Sequence, residues 1–197
     1  MTIRPAYSVW PHYNRLLRDA VSSLTDQQLA LKPSPDRWPL WATIGHTACQ
    51  RVSWLCGFAG EPGAETTPFP DALHYCPGDE DLEHVLTSQD LVLAIDSTFR
   101  IVEACLDSWT PDMLEQEVRR LFETEEWVHT RGWVIQRVFS HDVYHCAELN
   151  ENPGRPGPSP DRSLGLSTPS RIRLVAACPA AWQRHFYTPV RAKWRLS

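Results

Sequence analysis

His141 and His145 stand four residues apart in the run FSHDVYHCAEL, residues 139–149. On a helix, residues at i, i+4, i+7 and i+11 share a face. Val134, Val138, His141 and His145 therefore line one side, followed by Glu148 or Leu149. That side carries the valines, so the imidazoles point toward the core. A neutral imidazole buried there needs a partner at each ring nitrogen. One metal ion satisfies one nitrogen from each ring. The spacing is that of the HExxH helices of zinc enzymes. Asp142 stands where that motif has glutamate, which argues against a metalloprotease. Taken alone, the pair is equally the pattern of two core or surface histidines.

A metal site needs at least a third ligand, and His46 in ATIGHTACQ offers one. It lies on a stripe of small residues, Ala42, His46, Cys49, Ser53 and Cys56, that lets another helix approach and leaves room around the ring. Three protein ligands and an open position is the catalytic pattern for zinc. Cys49, one turn after His46, is the residue that would close the site and make it structural. The other histidines, 12, 74, 84, 129 and 185, fall in loop-like or polar settings, where exposure or local hydrogen bonding is expected.

These residues must be carried by helices. Three- and four-residue steps among apolar residues predict helices over about 7–30, 39–58, 79–108 and 131–149. Pro33, Pro35 and Pro39 interrupt the first two, with Pro39 suited to the first turn of the second. GEPGAETTPFPDALHYCPGDE reads as a long loop. TPDMLEQEV reads as a short helix with Thr110 as N-cap and Pro111 in its first turn. VRRLFETEEWVHTRG shows no clear period and is either extended or a loop. The fold class expected is all-α, a four-helix bundle. Such bundles build metal sites from inward side chains of facing helices.

Composition narrows the function. The chain has 197 residues and a formal charge of −5, which opposes nucleic-acid binding. No apolar run approaches the roughly 18 residues of a membrane helix. The first residues, MTIRPAYSVWPHYNRLLRDA, have no apolar core ahead of their charges, so no secretory leader is expected. None of the six cysteines forms a CxxC pair, and they are expected to be reduced thiols of a cytoplasmic protein. Nine tryptophans are many for this length and belong in cores, clefts and interfaces.

Composition shifts near residue 151. Residues 1–150 hold 11 Lys and Arg against 22 Asp and Glu; residues 151–197 hold 8 against 2, with seven of the 17 prolines. This divides the chain into a helical domain, 1–151, and a Pro/Arg-rich extension, 152–197, of irregular or disordered composition.

Together, DRWPLWATIGHTACQRVSWLCGFAGEPG, LDSWTPDML and TRGWVIQRVFSHDVYHCAELNE resemble the DinB-like superfamily over about residues 7–151. That group includes damage-inducible proteins, thiol-dependent S-transferases and mycothiol-dependent maleylpyruvate isomerases. The resemblance implies a four-helix bundle with zinc or nickel on three histidines. Position by position, those are His46, His141 and His145. It also implies a homodimer, a small-molecule substrate and, in several relatives, a low-molecular-weight thiol as cosubstrate. A metal with an open position would activate water or a thiol, so a thiol S-transferase or related hydrolase is expected. The alternative is a stress-related binding protein whose metal is structural or absent.

Around such a centre, Asp142 lies about 100° from His141 and is expected to point away. Glu148, one turn beyond His145, is placed to accept from a ligand ring; a solvated helix-end glutamate has the same position. Arg137, one turn before His141, suits either a substrate carboxylate or neighbouring surface acids, the commoner fate. The extension has no counterpart in the family, whose members end soon after the fourth helix. It is either a genuine basic segment or an out-of-frame continuation, in which the codons of DRSLGL hide a family-like ending.

Overall fold

A computed structural model describes residues 1–150 apart from 80 and 123. The extension over 152–197 lies outside the described residues. The chain is mostly helical. Its helices are α1 (Trp10–Ser22), α2 (Asp26–Leu29), α3 (Leu40–Val52), α4 (Ser88–Ser108) and α5 (Arg131–Asn150). A two-stranded antiparallel sheet, β1 (Glu117–Phe122) and β2 (Glu125–Thr130), precedes α5. Helix α3 packs on α4 and α5, and α1 packs on α4. Among the described residues, no helix is long and apolar enough to cross a membrane.

The helix boundaries follow local chemistry more closely than hydrophobic period. The first predicted helix is broken at Thr25, which caps α2: Thr25 accepts from the Gln28 backbone N–H while the Gln28 side chain accepts from the Thr25 N–H. Such a reciprocal pair starts a new helix. The third predicted helix starts at Ser88, not 79, because Thr87 and Asp90 form the same box. The acids ahead of it do other work. Asp81 is buried and accepts the backbone N–H groups of Glu83 and His84 at 2.8 and 3.1 Å. Pro39 is the N-cap of α3 rather than its first residue, and α3 widens into a π-turn over Ser53–Phe58. Thr110 makes no capping bond, and Pro111–Glu115 forms only a 3₁₀ turn.

The sheet departs from the all-α expectation. Val118 pairs with His129 and Arg120 with Trp127, so Val118, Arg120, Phe122, Trp127 and His129 share the inward face. That is a period of two, the mark of a half-buried strand.

Two apolar clusters make the core. One gathers Trp10, Val52, Leu55, Phe58, Val102, Leu106, Trp109, Ile135 and Val138. The other gathers Leu17, Val21, Leu29, Leu40, Ile44, Leu91, Ile95 and Leu149. Along α3 the change from one to the other falls between Ile44 and Ala48; along α5 it falls between Val138 and Leu149. His46 occupies the first gap, and His141, Asp142 and His145 occupy the second. The polar residues thus form a layer between two greasy ones.

Candidate metal centre

His46 comes from α3, and His141 and His145 come from one face of α5. All three are buried, with exposures of 6, 7 and 6%. Their ring nitrogens converge. The Nε2 of His141 lies 3.2 Å from that of His46 and 3.1 Å from that of His145. One ligand atom from each ring lies within 4.8 Å of the others.

The outer nitrogens are held by other groups. His145 Nδ1 faces the Glu148 carboxylate at 2.9 Å. His46 Nδ1 faces Asp79 at 3.3 Å, and the ring has a backbone hydrogen bond to Pro77. Trp38 lies edge-on to His46 with centroids 5.0 Å apart. These contacts assign the proton of His46 and His145 to Nδ1 and leave both Nε2 lone pairs facing His141. The single Nε2 proton available to His141 can serve only one of them. A cation at the point of convergence removes the mismatch, since neutral imidazole nitrogens are its natural donors. Separations of 3.1 and 3.2 Å approach the spacing, about 3.3 Å, of nitrogens held tetrahedrally at about 2.0–2.1 Å from one ion. The residues present fit a divalent metal.

Burial sets the protonation of His46 and His141. It pushes the His46 pKa down to about 3, with the charge of His145 adding to the effect. Burial also holds His141 well below its ordinary value, aided by His145 and then His46. The hydrogen bond with His145 lowers the Glu148 pKa and outweighs the opposing effect of its burial. Neutral His46 and His141 are in the state that binding a metal requires.

Asp142 points away from the cluster, as its helical angle requires. Its carboxylate accepts from Trp10 Nε1 at 2.8 Å and from Arg51 at 3.0 Å through Nε and 2.8 Å through Nη2. Arg51 also donates to the Ile95 carbonyl at 3.3 Å and to Thr98 Oγ1 at 3.4 Å. The network ties α1, α3, α4 and α5 together at the level of the histidines. Arg51 was not singled out from the sequence. Its signal was a guanidinium on a helix of apolar and small residues, five positions after His46.

Of the remaining expectations, Glu148 meets His145 and also Arg37, at 3.2 Å. Arg137 lies over the Trp54 ring at 5.8 Å. His74 and His84 pair locally with Asp71 and Asp81, and His129 stacks on Trp133 at 3.8 Å. The expectation that all six cysteines are reduced is corrected: Cys49 is disulfide-bonded to Cys76, with Cα atoms 5.9 Å apart. The loop brings Cys76 to α3, a proximity that no sequence spacing announces. Cys49 therefore does not close the site; among the described residues, Cys56 and Cys105 are free thiols.

In a mostly helical protein, three histidines converge in a buried layer as a group that could hold a metal ion. The sequence model of the DinB superfamily matches residues 14–149, and the chain belongs to that superfamily. The fold is similar to the crystal structure of a DinB-like protein from Bacillus cereus ATCC 10987. Identity to it is 15% and the TM-score is 0.54, with 75% of this chain and 88% of that one covered. No curated protein matches.

Proposed function

We propose that the protein is a divalent-metal-dependent enzyme acting on a small molecule, most simply a thiol S-transferase or a related hydrolase. The four longer helices are read as the superfamily's four-helix bundle. The observation that carries the proposal is the convergence of three buried Nε2 atoms whose protons are held on the opposite side of two of the rings. His46, His141 and His145 would hold zinc or nickel. Such an ion, when bound, supplies Lewis acidity that makes water or a thiol nucleophilic near neutral pH.

The chain's own residues do the rest. Glu148 fixes the His145 proton at Nδ1 and so keeps Nε2 available as a donor to the metal. Burial keeps His46 and His141 neutral. Arg137 sits one turn from His141 as a group for a substrate anion. The structural-metal alternative loses its closing ligand, because Cys49 is bonded to Cys76.

We read the protein as a homodimer that uses a low-molecular-weight thiol and engages neither nucleic acid nor membrane. The disulfide weighs against a reducing compartment, and mapping the cysteines in protein from its native host decides that point. The test of activity pairs small electrophiles, and simple amides and esters, with a thiol or water. The metal-loaded chain is expected to turn over at least one class, and His141→Ala none. Equal turnover by both proteins would contradict the reading.

A further inference from the structure

Helix α3 and the π-turn that follows it present His46, Gln50 and Trp54 at four-residue steps, and α5 presents His141, Arg137 and Trp133 in the opposite direction. Ring contacts join the two rows at both ends. His46 and His141 have centroids 5.0 Å apart, and Trp54 and Trp133 have centroids 5.2 Å apart. Arg137 occupies the middle rung, with its guanidinium carbon 5.8 Å from the Trp54 ring centroid. It lies one helical turn from His141. Gln50 is oriented by accepting from Trp54 Nε1 at 3.1 Å.

The hairpin extends the far end of this strip. His129 stacks on Trp133 with an interplanar angle of 9°, and Trp127 stacks on Trp54 at 6.5 Å. A core cluster would be sealed; this one is not. Gln50, Trp54, Trp127, His129 and Arg137 are partly exposed, and Trp133 is 42% exposed. Burial nevertheless lowers the Arg137 pKa, so the guanidinium is partly withdrawn from water. A guanidinium in that position favours a planar, bidentate anion. Aromatic faces beside it favour a flat apolar body.

We propose that the strip from His46 and His141, through Gln50 and Arg137, to Trp54, Trp133 and His129 binds a small organic anion with a planar apolar body. The anion sits at Arg137, the flat body lies on the tryptophans, and the reacting atom faces the histidines. One rung is four helical residues, so reacting atom and anion are separated by roughly 6 Å. Arylalkyl carboxylic acids have this design. The proposal deepens the metal-enzyme reading and rests on it for the role of the histidine end.

Titration calorimetry of the full chain with 3-phenylpropionate and its neutral amide tests it. The acid is expected to bind more tightly than the amide. Arg137→Gln is expected to weaken the acid about 10- to 100-fold, the loss of a charge-assisted hydrogen bond, and to leave the amide unchanged. Arg137→Lys falls between. Trp133→Leu, at an exposed position where folding tolerates change, weakens both probes by about 2- to 10-fold. Acid binding unaltered by Arg137→Gln, or an amide as tight as the acid, overturns the proposal.

Metal-stripped protein separates the two readings. Acid binding that vanishes with the metal yet ignores Arg137→Gln means the carboxylate goes to the ion, which overturns the strip and leaves the metal reading standing. A parent chain that takes up no metal yet binds the acid through Arg137 supports the strip and removes the metal reading.

Discussion

Arg51 and Asp142 form a buried ion pair, Nη2 to Oδ2 at 2.8 Å, between side chains that are only 1 and 6% exposed. Asp142 follows His141 directly, and Arg51 is five residues beyond His46. The pair therefore fixes how α3 and α5 face each other at the level of the three histidines. Asp142→Ala leaves a buried guanidinium without its partner and is expected to cost about 3–5 kcal/mol. Urea unfolding of the metal-free chain measures this. A loss below about 1 kcal/mol would show that the pair is not the clamp described.

Gly78 has φ of +86°, and a Cβ there would lie 2.7 Å from Trp38. Trp38 in turn packs edge-on against His46. Gly78→Ala strains the backbone and pushes Trp38 toward the ligand ring. It is expected to weaken metal affinity several-fold with the helical circular-dichroism signal retained. Unchanged affinity in a competition titration with a chromogenic chelator would contradict this.

The buried histidines give the metal-free protein a defined pH response. The folded state holds His46 neutral down to about pH 3, whereas an unfolded histidine takes its proton near 6.5. His141 is shifted in the same direction. Below about 6.5 the unfolded chain therefore binds more protons than the folded one, and stability falls as pH falls. Glu148 acts in the same sense at lower pH, because its lowered pKa gives stability that is lost on protonation. Unfolding midpoints between pH 8 and 4 should decline from about 6.5 downward. Replacing His46 by Gln should flatten part of that decline; an identical slope in the variant would refute the assignment.

Differential alkylation checks the cysteines. Peptide mapping of unreduced protein should recover Cys49 joined to Cys76. Burial pushes the Cys56 and Cys146 thiols up to about 11 and raises Cys105 further. Native protein at pH 8 should therefore react slowly with iodoacetamide at all three, because the thiolate is the reactive form. Fast labelling of Cys49 or Cys76 would contradict the pairing.

The histidines were legible because helical spacing and a stripe of small residues are written locally. His46 lies 95 residues from His141, and only the packing of α3 on α5 shows that they meet. Asp142 was rightly turned away from the cluster by the helical angle. Its partner Arg51 was missed because a buried cation can be recognised only once the anion that neutralises it is placed. The hairpin reads in sequence as either extended or loop because its alternation mixes Val118 with Arg120 and Trp127 with His129, so hydrophobicity alone does not show the period. The third helix does not begin at 79, because the acids there serve a turn and a ring contact rather than a helix N-terminus. Asp79 faces His46, and Asp81 holds the turn through Glu83 and His84.

Metal content tests the central claim most directly. Protein purified without an affinity tag and supplied with zinc or nickel should hold about one divalent ion per chain by elemental mass spectrometry. His46→Ala, His141→Ala and His145→Ala should each lose it while keeping the helical signal. A metal-free parent chain, or folded variants that retain the ion, would contradict the account.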